Sequence, residues 1–119
     1  MAAMAEDLLT ANLHGVFGER DPERRRATAE ATYTADVHFS DPEGAVVGPD
    51  AVVAKAAALL EGAPGFVFAE AGPAYVLGEN AALPWTFGPQ GGAPVARGLD
   101  VITVRDHRIG EVRTLLAEG

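Results

Sequence analysis

The sequence contains no cysteine, and this absence removes several kinds of chemistry at once. Without thiols there is no disulfide framework, no thiolate nucleophile and no cysteine-ligated zinc site. Basic residues are also scarce, since 9 Lys and Arg stand against 17 Asp and Glu for a formal net charge of -8. Because proteins that bind phosphate backbones cluster basic side chains, we expect no nucleic-acid partner.

Long apolar runs are absent as well. No run approaches the roughly 18 residues of a membrane-spanning helix, and Glu6 and Asp7 stand where a secretory signal would carry basic residues. We therefore expect a cytoplasmic protein with no membrane partner. The 119 residues show no internal repeat, and a chain of this length buries roughly two thirds of its unfolded surface. Residues 1–119 are therefore predicted to form one domain.

Helical periodicity dominates the first half of the chain. Apolar residues recur at helical spacing over 8–17, which predicts a first helix. Asp21 and Pro22 supply an N-cap carboxylate and a first-turn proline, so a second helix is expected to run from there to about Tyr33. The alanine-rich segment 51–62 predicts a third helix that ends at a glycine.

The second half reads as short strands separated by turn residues. One strand is predicted in the first half, at 36–40. The strands predicted in the second half are 66–70, 74–77, 81–87, 95–105 and 109–116. Helices come early and a meander of strands follows. This order predicts an α+β fold rather than alternating α/β units.

Asp41 follows Val37 and Phe39 at two-residue spacing, so these three side chains are expected on one face of a strand. A carboxylate on that face points into the interior or toward a cavity mouth. The residue also stands directly before Pro42 and near Gly44, which is typical of a turn-forming aspartate. The local pattern leaves both interpretations open.

Asp100 lies mid-strand in "VARGLDVITV", with apolar residues on both faces. By strand alternation it shares one face with Gly98, Ile102 and Val104. Aspartate is disfavoured in strands, and when buried it needs partners or takes up a proton. A structural role, in which it accepts from backbone donors or pairs with an arginine, and a functional role both remain open.

Five segments in a fixed order carry a family resemblance: "YTADVHFSDPEG", "AGP", "ALPW", "GLDVITV" and "HRIGEV". Together they resemble the ketosteroid isomerase and SnoaL-like family of the nuclear transport factor 2-like superfamily, over nearly the whole chain. The resemblance implies a cone in which a strongly curved mixed or antiparallel sheet wraps around about three N-terminal helices. It also implies an apolar pocket at the open end.

The resemblance implies specific roles for both aspartates. Asp41 would be the general base, and Asp100 a protonated acid that donates to the enolate oxygen. The implied function is proton transfer, as isomerisation or cyclisation, on an apolar carbonyl-containing small molecule, without a cofactor. No spacing in the sequence resembles HExxH or a comparable motif, so no metal is expected. The pocket walls implied or inferred from strand faces are Phe17, Phe39, Trp85, Phe87, Val112, Thr114 and Leu116. A homodimer is implied too, using the outer sheet face with Val101 and Thr103.

One feature departs from the family pattern. The steroid isomerases add a tyrosine from the first helix, whereas the only tyrosines here are Tyr33 and Tyr75. Leu13, His14 or Phe17 is expected near that place. His14 could supply a hydrogen-bond donor or a second acid/base group, since imidazole exchanges protons near pH 7. It could equally be a half-buried histidine with a structural role.

Two other function classes stay open on this fold. One is a non-catalytic binder of a lipophilic small molecule or a dimerisation module, because fold does not imply function. The other is an epoxide hydrolase or cyclase. Epoxide opening would need two acids flanking an arginine, but Arg97 and Asp100 are three residues apart on one strand and face opposite ways. Ring closure by acid/base chemistry would need only Asp41 with one positioned partner.

Overall fold

The computed structural model describes residues 2–118. Helix α1 spans Ala2–Thr10 and continues as a π-helical stretch, Ala11–Phe17, which we call the π segment. Its wider turn is visible where the Gly18 amide donates to the Leu13 carbonyl at 2.8 Å, five residues back. Helices α2, Pro22–Thr32, and α3, Pro49–Glu61, complete the helical part. The three predicted helices are thus present.

The helix boundaries follow from local chemistry. The Asp21 carboxylate accepts from the Arg24 amide at 2.8 Å, which caps the first turn of α2. Pro22 and Pro49 occupy the starts of α2 and α3, where a missing amide proton costs nothing. Helix α2 ends at Thr32, so Tyr33 begins a strand. That ending determines where the Tyr33 side chain lies.

Seven strands form one sheet. They are β1 Tyr33–Asp41, β2 Gly44–Val47, β3 Phe66–Glu70, β4 Tyr75–Leu77, β5 Asn80–Pro89, β6 Ala96–Arg105 and β7 Arg108–Leu116. The strand order is β2-β1-β7-β6-β5-β3, with β4 also on β5. Only β1 and β7 pair in parallel among these strands of residues 2–118. The sheet is curled and unclosed around the helices, which confirms the predicted α+β cone. Strand β2 was not predicted.

The core lies between the concave face of the sheet and the helices. Its fully buried side chains include Leu9, Leu13 and Val16 from the first helical region, Val52 and Ala56 from α3, and Val37, Ile102, Ile109 and Val112 from the sheet. Strand alternation therefore assigns the faces correctly. Within residues 2–118, no helix has the length and apolar character needed to cross a bilayer.

The outer face of the sheet carries Val101 and Thr103, which are half-buried. Tyr75 and Leu77 lie beside Val101 along a shallow groove, and they are 63% and 82% exposed. The homodimer expected on this face stays a prediction.

Candidate functional site

An apolar cavity of about 190 Å³ lies between the helices and the sheet. Six of its lining residues were predicted as walls: Phe17, Phe39, Trp85, Phe87, Thr114 and Leu116. Four more apolar side chains complete the wall: Leu13, Leu59, Phe68 and Ala96. The remaining lining residue is Asp100, the one ionisable side chain on this wall within the described part of the chain.

Three neutral side chains hold the Asp100 carboxylate. Its Oδ1 accepts from the Trp85 indole N–H and from the Thr114 hydroxyl, both at 2.9 Å. Its Oδ2 accepts from the Asn12 amide at 3.1 Å. The side chain is only 5% exposed. A carboxylate oxygen has room for about two donors, so Oδ2 keeps one acceptor position.

The environment of Asp100 shifts its proton affinity in opposite directions. Burial raises the pKa of Asp100 to about 6, while the hydrogen bonds from Thr114, Trp85 and Asn12 oppose that rise. Burial disfavours the charged form, and donors to the carboxylate favour it. A carboxyl group whose pKa lies near neutrality can both accept and return a proton. The side chain therefore has the properties of an acid/base group.

Backbone geometry determines where the Trp85 ring lies. Trp85 is the cross-strand partner of Gly98, and a Cβ atom on Gly98 would lie 2.3 Å from the indole Cζ2. Only a glycine leaves room for the ring across β6. Phe68 packs against the indole in an edge-to-face pair with ring centroids 5.4 Å apart. These contacts direct the indole N–H toward Asp100.

Asn12 and Tyr33 extend the network away from the cavity. Asn12 lies on the π segment and is fully buried. The Tyr33 hydroxyl, from the first residue of β1, donates to Asn12 Oδ1 at 2.5 Å. Sequence reasoning missed both residues. A signal was present, because Asn12 is a polar residue three and four positions from Leu9 and Leu8 on the apolar helix face.

Asp41 is placed differently from Asp100. It is the last residue of β1, and its Oδ1 accepts from the Glu43 amide at 2.9 Å. Its Oδ2 lies 3.1 Å from the Lys55 ammonium on α3. It does not line the cavity. Asp41 thus occupies the turn-forming position that the sequence had left open, with an ion pair added.

His14 and Val112 also lie away from the cavity wall. The His14 side chain is 41% exposed, and its Nε2 lies 3.2 Å from Glu70 Oε2. Val112, predicted in the far wall, is instead fully buried in the core. The structure therefore brings Asp100 to the cavity, but not Asp41 or His14. Within residues 2–118, no cluster of His and carboxylate side chains could hold a metal ion.

Comparison with solved structures gives strong similarity in fold. A candidate isomerase of the SnoaL-like family from Agrobacterium tumefaciens str. C58 is 25% identical, with a TM-score of 0.90 over 98% of this chain and 99% of that one. A candidate SnoaL-like polyketide cyclase from Jannaschia sp. CCS1 is 19% identical, with a TM-score of 0.76 over 97% and 85%. A candidate ketosteroid isomerase from Kribbella flavida DSM 17836 is 16% identical, with a TM-score of 0.67 over 98% and 77%.

The last two similarities show the fold alone. Comparison with curated proteins found no match. The family comparison is more informative, because the SnoaL-like domain matches residues 11–112 of this chain. That stretch runs from the π segment to the middle of β7 and contains both Asn12 and Asp100. The chain belongs to the SnoaL-like domain family.

Proposed function

We propose that the protein catalyses proton transfer, leading to isomerisation or cyclisation, on a small apolar carbonyl compound, with Asp100 as the acid/base group. The observation that carries this proposal is a buried carboxylate on the wall of an apolar cavity, held by three neutral donors. The names of structural neighbours, a candidate isomerase and a candidate cyclase, support the same reaction class.

The chemistry needs one group that takes and returns a proton. The Asp100 carboxylate receives a proton from a carbon next to a carbonyl of the bound molecule, which leaves an enolate and a neutral carboxylic acid. Return of that proton to a different carbon gives isomerisation. Alternatively the enolate carbon bonds to a second carbonyl of the same molecule, and the proton passes to the new alkoxide, which gives cyclisation. The carboxylate is regenerated in both cases.

The wall also limits the substrate. Its side-chain donors within the described chain, Trp85 and Thr114, are both engaged by Asp100. Little of the wall is left to stabilise an enolate oxygen, so we propose a substrate whose enolate is delocalised over two carbonyls. An apolar cavity of about 150 Å³ holds benzene, and this one measures about 190 Å³. We therefore propose that one or two rings occupy it.

The test measures deuterium uptake by a cyclic β-keto ester in D₂O, with cyclohexanone as the less acidic comparison. Wild type should accelerate exchange of the β-keto ester. Asp100→Asn should lose about 10²- to 10⁴-fold of that acceleration, the usual contribution of a general base. Asp41→Asn, the matched carboxylate control, should stay within a few-fold of wild type, because Asp41 is engaged by Lys55 outside the cavity.

The other outcomes would overturn the proposal in distinguishable ways. If Asp41→Asn is the variant that loses activity, the base is Asp41, as the family resemblance implies. If wild type binds the ester without accelerating exchange, the cavity belongs to a non-catalytic binder of small lipophilic molecules. Near-ultraviolet circular dichroism of each variant establishes that the fold is retained, so that a loss of exchange reports on the carboxylate.

A further inference from the structure

We infer that Tyr33 is a positioning residue: by donating to Asn12 it fixes which end of that amide faces Asp100, and so keeps Asp100 a hydrogen-bond acceptor. The catalytic consequence rests on the proposed function, but the positioning itself does not. The two buried polar residues belong to different elements: Asn12 lies on the π segment, and Tyr33 lies at the start of β1.

The two hydrogen bonds run in one direction, from Tyr33 to Asn12 and from Asn12 to Asp100. An asparagine amide has an acceptor end and a donor end of similar shape, so either could face Asp100. The Tyr33 hydroxyl lies 2.5 Å from Asn12 Oδ1, and Nδ2 then donates to Asp100 Oδ2 at 3.1 Å. Burial, and then the charge of Asp100, raise the pKa of Tyr33 well above its ordinary value. The phenol therefore stays protonated and remains a donor.

Reversing Asn12 would have a specific cost. Asn12 Oδ1 is the one acceptor that the Tyr33 hydroxyl meets in the described chain. If the amide turned its nitrogen toward Tyr33, the buried phenolic proton would lose its acceptor, which is unfavourable. In the observed arrangement, by contrast, residues 2–118 contain no buried side-chain nitrogen or oxygen without a hydrogen-bond partner. Tyr33 therefore selects one of the two amide orientations.

Neutral dipoles matter here because charged groups lie elsewhere. The groups that face Asp100 are Asn12 from the π segment, Trp85 from β5 and Thr114 from β7, all uncharged. Tyr33, reaching from β1 through Asn12, is the titratable neighbour. No ion pair within residues 2–118 involves Asp100. Its proton affinity is therefore sensitive to whether Asn12 presents its N–H or its oxygen.

The test is Tyr33→Phe, which removes one oxygen atom and keeps the ring. Asn12 is then free to turn its oxygen toward Asp100 and accept a proton from it. We expect the pKa of Asp100 to rise by about one unit, the size expected for loss of a hydrogen bond to a charged group. Carboxyl-carbon NMR across pH measures this, with the resonance assigned by its absence in Asp100→Asn. Tyr75→Phe, the exposed tyrosine on β4, is the matched control and should leave the titration unchanged.

A second variant separates positioning from a merely structural role. Asn12→Leu removes the amide and should raise the pKa of Asp100 by a similar amount. Because Tyr33 acts through Asn12, the double variant Tyr33→Phe/Asn12→Leu should match Asn12→Leu, a non-additivity typical of one network. An unchanged Asp100 titration in Tyr33→Phe, even with a lower Tm, would overturn the inference. Additive shifts in the double variant would also overturn it. These readings need no substrate, so they stand apart from the deuterium-exchange result.

Discussion

Asp41 and Asp100 sit on the concave side of the same sheet, yet their surroundings differ in kind. Asp41 ends β1 in a turn, with one backbone amide and the Lys55 ammonium as partners. Asp100 lies in the middle of β6, surrounded by uncharged donors and the cavity. A neighbouring cation stabilises the charged form of a carboxylate. A buried site with only neutral donors leaves the charged and the protonated forms closer in free energy. The strand face alone therefore does not identify an acid/base residue.

The largest effect that follows from this difference concerns stability against pH. Burial raises the folded-state pKa of Asp100 to about 6 from an ordinary value of 3.8, so the folded state holds this proton more tightly than the unfolded state. The resulting stability is fully present below the unfolded pKa and is lost as pH rises through the folded pKa. The free energy of unfolding of wild type, measured relative to Asp100→Asn, should fall by at most about 3 kcal/mol from about pH 4 to pH 7.

Urea denaturation at several pH values measures this difference, and the comparison with Asp100→Asn cancels the titration of the other carboxylates. A constant difference between wild type and variant would show that Asp100 titrates like an ordinary aspartate. The contrast between the two carboxylates would then fail at its first point.

Thr114→Val sharpens the comparison by removing one donor from Asp100. The hydroxyl donates to Oδ1 at 2.9 Å, so its loss should raise the pKa of Asp100 by about one unit. The low-pH limb of the deuterium-exchange profile should move upward by the same amount. Thr103→Val, on the outer face of the same sheet, is the control variant. If both variants shift the profile equally, the Thr114 hydroxyl has no special influence on the carboxylate.

Lys55→Met should have the smallest effect, and it tests the Asp41 side of the comparison. The variant removes the cation beside Asp41, and with it the contact between the Lys55 ammonium and the Phe39 ring, whose centroid lies 5.9 Å away. A partly exposed ion pair contributes up to about 1 kcal/mol, so thermal or urea unfolding should show a loss of about that size. Exchange activity should be unchanged. Loss of activity in Lys55→Met would instead place the Asp41 pair in the catalytic machinery.

Sequence reasoning reached the fold and one side of the site. Strand alternation put Asp100 on the same face as Ile102, and both are buried. The family resemblance implied Trp85, Thr114 and Leu116 as walls, together with Phe87 on the same face as Trp85, and all four line the cavity. It also included Val112, which shares their face but lies farther along β7 in the packed core. A two-residue period identifies a face, but it does not identify how far along a strand a cavity extends.

The other side of the site depends on contacts that no local pattern contains. Asn12 meets Asp100 across 88 residues of sequence, and the partner of Asp41 comes from α3. Tyr33 was expected at the end of a helix, whereas it begins β1 with its side chain buried. Shifting that boundary by one residue changes where the hydroxyl points. Partners of this kind follow from tertiary packing and not from the periodicity of either segment.

The number of residues in the π segment affects the site, because it determines which residue lies opposite Asp100. A π-helical turn contains more residues than an α-helical one, and each residue of an α-helix turns the chain by roughly 100°. Suppose that one residue is deleted from 11–17 and that the segment becomes α-helical. Helix α1 and Asn12 would then rotate relative to Gly18, although no residue outside the segment has been substituted. Relatives that differ in this segment by one insertion or deletion should therefore carry a different residue opposite Asp100. An alignment scored only by substitutions would overlook that difference.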